Sequence, residues 1–204
     1  MKGKLGILAS GRGSNAEAIM TNIEKGVLDA EIAVVLSDRP DVPVLEIGRR
    51  HNVKAIYLDP GPKKTFLVPE VEAQWVKVLK EHEIDLLILA GFMRILKKTM
   101  LDAFAGKILN IHPALLPAFP GLEVQKKALE YGVKFAGCTV HFVDETVDGG
   151  PIITQAVVPV LDNDSPETLA ARILKEEHRI YTEAIALILS GNYRIEGRRV
   201  IRTT

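Results

Sequence analysis

The sequence predicts an α/β fold, an open and mostly parallel twisted sheet flanked by helices, with antiparallel strands in its C-terminal half. Three observations predict it. Short apolar runs alternate with helix-period segments through the first half of the chain, the pattern of strand–helix–strand crossovers. Those runs are continuously apolar rather than alternating, as strands buried on both faces of a parallel sheet are. Two β-rich runs further on flank a short turn-forming Asp148-Gly149-Gly150, so they pair antiparallel more easily than parallel. The arrangement is Rossmann-like, with right-handed crossovers and ligands beyond the carboxyl ends of the strands.

Taken in order, residues 5–9, 32–36, 54–58, 84–90 and 107–111 read as the strands of the first half. Between them Ala16, Ile19, Met20 and Ile23 share one helical face, and Val71, Trp75, Val78 and Leu79 share another in the segment opened by Pro69. Residues 112–121 are apolar yet rich in proline, which suits neither regular structure and marks a loop. A helix over about 122–131 follows, then strands over 135–143 and 151–161. Ser165-Pro166-Glu167 pairs a capping hydroxyl with proline at the first helical position, starting a helix that runs to about Leu189 and stops at Gly191. The tail 193–202 reads as a small hairpin around Glu196-Gly197. There is no repeat, low-complexity stretch or linker.

Composition narrows the function classes. The chain has 204 residues, 47% of them apolar, enough for one domain with a substantial core. Lysine plus arginine equals aspartate plus glutamate at 26 each, so no global field points to nucleic acid or membrane, and an anionic substrate needs a local arrangement. The single cysteine, Cys138, excludes an intrachain disulfide and suits a reducing compartment. The first strand begins at Leu5, too early for a signal segment, and no apolar run approaches the roughly 20 residues of a membrane span, so the chain reads as cytoplasmic.

Four places carry chemistry. Ser10-Gly11-Arg12-Gly13-Ser14-Asn15 stands between the first strand and the first helix, where glycines admit a ligand and free N–H groups favour an anion. It fits neither a P-loop nor a dinucleotide fingerprint, and Ser14 or Asn15 could equally cap the helix of an ordinary tight turn. Asn110 and His112, at the end of the fifth strand, point to one side because extended side chains alternate. Together they could polarise a carbonyl and move a proton, or simply satisfy backbone groups. Asp148 reads by itself as turn chemistry. Glu177 lies four residues after Ile173 and three before Ile180, on the apolar face of the last long helix, where a carboxylate is paired or bound to a polar ligand. The five histidines show no metal-ligand spacing; His141 alternates with Thr139 along its strand and could face a site.

These pieces together resemble a known family. Ser10-Gly11-Arg12-Gly13-Ser14-Asn15 with Ala18-Ile19, Leu89 through Leu96, Asn110 through Pro117, Gly137 through Val143 and Asp148-Gly149-Gly150-Pro151 are similar, in order and spacing, to the phosphoribosylglycinamide formyltransferase family of folate enzymes. The resemblance covers almost the whole chain. It implies a single formyltransferase domain, 1–204, with a nucleotide and phosphate half over about 1–110 and a folate and catalytic half over about 111–204. It makes Asn110, His112 and Asp148 the catalytic residues. Gly13, Ser14 and Asn15 would hold the substrate phosphate and Glu177 the ribose hydroxyls. Met93, Arg94, Ile95 and Leu96, with Asp144, Glu145, Thr146, Val147 and Asp148, would line the folate pocket largely through backbone groups, with Asn110 also at the folate. Three departures stand out: Ala114 where many members have serine, Leu174 where some present a polar group, and Val68 where others place a basic residue that Lys63 or Lys64 would have to replace.

The implied reaction moves a formyl group from 10-formyltetrahydrofolate, a co-substrate, to glycinamide ribonucleotide in purine biosynthesis. No tightly bound cofactor, metal, nucleic acid or membrane is implied, and the chain would act as a monomer or homodimer. Asn110 and a protonated His112 would stabilise the oxyanion, and Asp148 would favour the imidazolium. Two other readings stay open, a formyltetrahydrofolate hydrolase or initiator-tRNA formylase of the same fold, and a non-catalytic nucleotide-binding module.

Overall fold

The computed structural model describes residues 2–203. The chain divides into two compact units, the first ending at Leu109 and the second beginning at Asn110. In the first unit β1 (Gly3–Leu8), β2 (Ala30–Ser37), β3 (Ala55–Tyr57) and β4 (Leu86–Leu89) alternate with α1 (Ser14–Glu24), α2 (Pro43–Arg50), α3 (Pro69–Glu81) and α4 (Lys98–Ala103). The strand β5 (Ile108–His112) follows, its first residues in this unit. The strand order here is β3-β2-β1-β4-β5, with β1 parallel to both β2 and β4 and β2 parallel to β3. Leu5, Ile7, Leu8, Val34, Val35, Leu36, Leu87 and Ile88 are almost wholly excluded from water, which is why these strands are apolar at every position rather than at alternate ones. Each such side chain contributes about 1.5–3 kcal/mol of burial.

Two helices of this unit escaped the periodicity reading. At six residues α4 is too short to show a 3.6-residue period, whereas α2, eight residues opened by Pro43, does carry a buried apolar face in Val44, Leu45 and Ile47 that the reading passed over. The α3 face differs too: Glu72, Trp75, Val76 and Leu79 are its buried residues, while Val71 and Val78 are only half-buried. A glutamate therefore occupies the innermost stripe of an apolar helix.

The second unit opens with Asn110-Ile111-His112 of β5 and continues through α5 (Val124–Tyr131), β6 (Phe135–Phe142), β7 (Ile152–Pro159), α6 (Pro166–Ser190), β8 (Tyr193–Glu196) and β9 (Arg199–Arg202). Its strand order is β5-β6-β7-β9-β8. The β6/β7 and β8/β9 pairs are antiparallel, as the short connections predict, and β9 meets β7 at the parallel pair Ile152↔Arg199. Proline at the first turn and a capping box start α6: Thr168 N donates to Ser165 Oγ at 3.3 Å and Ser165 N to Thr168 Oγ1 at 2.9 Å. Such a cap contributes about 1 kcal/mol. Gly191 ends the helix in the left-handed region at φ 69°. The helix before β6 starts at Val124, a little later than expected, because Glu123 takes a left-handed φ of 57°. No helix among the described residues is long and apolar enough to cross a membrane.

Candidate active site

The catalytic candidates of the second unit converge on one carboxylate. Strand alternation turns Asn110 and His112 to the same side of β5, and the loop after β6 brings Asp148 to them. Asp148 Oδ2 lies 3.5 Å from His112 Nδ1, and Asp148 Oδ1 accepts from Asn110 Nδ2 at 3.5 Å. Gly121 N donates to Asp148 Oδ2 at 2.9 Å, so the acid is anchored as well as placed. Its side chain is 12% exposed and that of His112 6%, which weakens solvent screening of their attraction. The loop is built for this. Asp148 holds a left-handed φ of 52°, tolerable for an aspartate, and Gly149 N closes the turn on Thr146 O at 3.1 Å. A Cβ at Gly150 would stand 1.8 Å from the Phe142 carbonyl oxygen, so only glycine lets the loop return against β6.

His141 completes the cluster. Its Nδ1 faces the Phe142 carbonyl at 2.8 Å, and a carbonyl only accepts, so Nδ1 carries the hydrogen. Burial holds the ring's pKa below its ordinary 6.5, against the opposing pull of that hydrogen bond and of Asp148. Neutral and protonated at Nδ1, His141 offers a lone pair at Nε2, 3.2 Å from Asn110 Nδ2. Both groups facing the Asn110 amide, His141 Nε2 and Asp148 Oδ1, are acceptors, which turns the amide nitrogen toward them. The sequence pointed to His141 only by its alternation with Thr139. His112 Nε2 in turn donates to the Phe119 carbonyl at 2.9 Å, so both ring nitrogens of His112 face oxygen acceptors.

In the first unit Gly13 is the N-cap of α1, with φ 78° and no side chain capping the helix. Ser14 and Asn15 are therefore helical residues and not caps, and the first-turn N–H groups have no intrahelical acceptors. A helix start left uncapped in this way suits an anion. The segment after β4 is tied to the same turn: Met93 N donates to Ser10 Oγ at 2.9 Å and Ser10 N to the Gly91 carbonyl at 3.0 Å. Met93 and Ile95 are exposed, at 54% and 41%, whereas Leu96 is buried. The Arg94 side chain is spent internally on Asp38 at 2.7 Å and on the Lys63 carbonyl, which leaves its backbone for any ligand. Val68 is the N-cap of α3.

The remaining candidates belong to the second unit. Asp144 Oδ1 accepts from Thr146 N at 2.8 Å, shaping a loop in which Glu145 and Val147 are exposed. Glu177 is 8% exposed on the buried face of α6, as its spacing predicted. Cys138 is fully buried, and burial, then the Glu177 charge, pushes its pKa up to about 12, so the thiol is an inert filler. Ala114 is buried and its carbonyl accepts from Thr139 Oγ1 at 2.7 Å, so the departure from serine leaves the loop anchored by backbone. Leu174 is half-buried. Among the described residues no group of three or more His, Cys, Asp or Glu could hold a metal ion.

Comparison with known proteins gives the family. A family described as formyl transferase matches residues 3–185. Phosphoribosylglycinamide formyltransferase of Bacillus subtilis is 41% identical over 193 residues, 95% of this chain and 98% of that protein. The chain belongs to the phosphoribosylglycinamide formyltransferase family. The crystal structure of glycinamide ribonucleotide transformylase 1 from Symbiobacterium toebii superposes with a TM-score of 0.95 at 50% identity, covering 100% of this chain and 95% of that one. A formyltetrahydrofolate deformylase from Pseudomonas syringae shares the fold, with a TM-score of 0.90, at 25% identity, and this chain covers 67% of it. All the site residues named above fall inside the formyl transferase match, while the β8–β9 hairpin lies beyond it. The phosphoribosylglycinamide formyltransferases are enzymes of purine biosynthesis, and this member is a formyl-transferring enzyme with their fold.

Proposed function

We propose that this enzyme transfers the formyl group of 10-formyltetrahydrofolate to the amine of glycinamide ribonucleotide, giving formylglycinamide ribonucleotide and tetrahydrofolate. The observation that carries the reading is the position of Asp148, whose two carboxylate oxygens face Asn110 and His112 at 3.5 Å each. The amine lone pair attacks the formyl carbon and its π electrons move onto oxygen. The Asn110 amide and the charged ring of His112 stabilise that oxyanion. The Asn110–Asp148 bond is long, so exchanging it for the formyl oxygen costs little. Asp148, whose Oδ2 faces His112 Nδ1, orients the ring. Collapse of the intermediate breaks the bond to folate N10, and the proton lost by the amine passes through His112 to that nitrogen.

The phosphate of the ribonucleotide sits at the helix start formed by Gly13, Ser14 and Asn15, and Glu177 takes the ribose hydroxyls. Folate contacts come from Met93, Arg94, Ile95 and Leu96 on the first unit. On the second they come from Asn110, Asp144, Glu145, Thr146, Val147 and Asp148. The folate is a co-substrate and no resident cofactor is required. The enzyme works in the cytoplasm, as a monomer or homodimer, with 1–204 acting as one formyltransferase domain. The test is loss of 10-formyltetrahydrofolate with and without glycinamide ribonucleotide. Strict dependence on the ribonucleotide supports transfer. Equal loss in its absence makes the enzyme a hydrolase, the reading that the Pseudomonas syringae likeness keeps in view. No loss in either case leaves a nucleotide-binding module.

A further inference from the structure

We infer that Asp38 and Glu72, two buried carboxylates outside the catalytic cluster, are positioning residues that hold the segment 91–97 in its folate-binding shape. The inference rests on the proposal that Met93 to Leu96 contact folate. Asp38 follows β2, and its side chain is 2% exposed; Oδ2 accepts from Arg94 Nε at 2.7 Å. Glu72 on α3 is 0% exposed, and its Oε1 accepts from the backbone N of Lys97 at 2.7 Å. The two acids come from different elements and grip the two ends of one four-residue stretch.

Alternate amides of the segment are held in the same sense. Ile95 N donates to the Thr65 carbonyl at 2.8 Å and Met93 N to Ser10 Oγ at 2.9 Å. Phe66 bridges to Ile95, and Lys97 Nζ stands 5.5 Å from the centre of the Phe66 ring. The N–H groups of Met93, Ile95 and Lys97 are thus spent on the protein, whereas no hydrogen bond described for this segment engages those of Arg94 and Leu96. A stretch fixed at every second amide presents the intervening ones as preformed donors, so ordering them is not charged against ligand binding.

Stability alone does not account for the two acids. Asp38 Oδ1 and Glu72 Oε2 are buried with no hydrogen-bond partner, a cost of about 1–3 kcal/mol for each such group. A well-packed apolar side chain at position 72 would avoid that cost, though not make the bond to Lys97. Buried polar groups kept at a cost to stability are a mark of sites shaped for function.

The experiment uses Glu72→Leu and Asp38→Asn in the full chain, with steady-state kinetics, thermal midpoints and backbone amide exchange by NMR. Glu72→Leu should fold with an unchanged or higher midpoint, speed exchange at Lys97 at least tenfold and raise the KM for 10-formyltetrahydrofolate at least tenfold. The ribonucleotide KM should stay within about twofold. Asp38→Asn, which keeps an acceptor for Arg94, should raise the folate KM by a smaller factor. Glu72→Gln keeps an acceptor for Lys97, so it should restore its protection and most of the folate KM; Glu72→Ala, which also removes the acceptor, takes the place of leucine if leucine prevents folding. An unchanged folate KM, or both KM values rising together with a lower midpoint, overturns the inference. Tetrahydrofolate added to the wild-type enzyme should slow exchange at Arg94 and Leu96. Failure of that protection overturns the folate reading and the inference with it; protection with unaltered KM in the variants overturns the inference alone.

Discussion

Asp148 and His112 face each other at 3.5 Å, Oδ2 to Nδ1, across a gap that neither residue's own element could have produced. One sits at the end of a strand and the other in a left-handed turn position 36 residues later. Substituting Asp148→Asn separates shape from charge. Asparagine tolerates the φ of 52° and can still accept from Gly121 N, so the variant should fold normally. Turnover should fall by on the order of a hundredfold or more, the scale of lost acid–base help. Near-normal turnover would return Asp148 to a turn residue.

His112→Ala should abolish transfer while leaving both substrates bound. The ring's hydrogen bond to the Phe119 carbonyl is one of several restraints on that loop, which also holds through Thr139 and Gln155, so the fold should survive. Turnover near wild type at saturating substrates would rule out the assigned role.

At the phosphate turn a side chain on Gly13 is a poor probe. A Cβ there would stand 2.7 Å from Val44 Cβ at a φ of 78°, so even Gly13→Ala should destabilise, by about 1–3 kcal/mol. Titration with inorganic phosphate is the cleaner measurement. Amide shifts should concentrate at Ser14, Asn15 and Ala16, and Ser14→Ala should raise the ribonucleotide KM while sparing that for folate. Shifts scattered across the chain would mean that the turn binds no anion.

His141 ties stability to pH. Burial keeps its pKa below 6.5, so between that lowered value and 6.5 the folded protein binds fewer protons there than the unfolded chain. Its contribution is intact above 6.5 and is lost as pH falls toward the folded value. Thermal midpoints measured downward from neutrality should therefore drop, and His141→Gln should flatten that dependence. Turnover should fall only as pH passes through the folded value, where the ring becomes protonated and no longer accepts from Asn110. An identical pH profile in the variant would count against the assignment.

Much of this site was legible along the chain because its signals are local. Continuous apolar strands, the capped start of α6 and the Asp148-Gly149-Gly150 turn depend on near neighbours, and Glu177 was found because helical spacing alone places it on a buried face. The same spacing places Glu72 on the Trp75 and Leu79 stripe of α3, three and seven residues before them, yet a face drawn through apolar positions passed it over. Nothing near Asp38 in sequence marks it as the partner of Arg94.

The sequence by itself determined which segments become buried strands, where helices begin and end, and which side of β5 carries Asn110 and His112. Those follow from periodicity and backbone preference, which act over a few residues. Only the tertiary structure decided that Asp148 reaches His112, that His141 turns the Asn110 amide, and that Asp38 and Glu72 hold the 91–97 segment. Those contacts join residues 25 to 56 positions apart, and what selects them is the burial of charge in a low-dielectric interior, where an acid is kept only beside the donor that needs it.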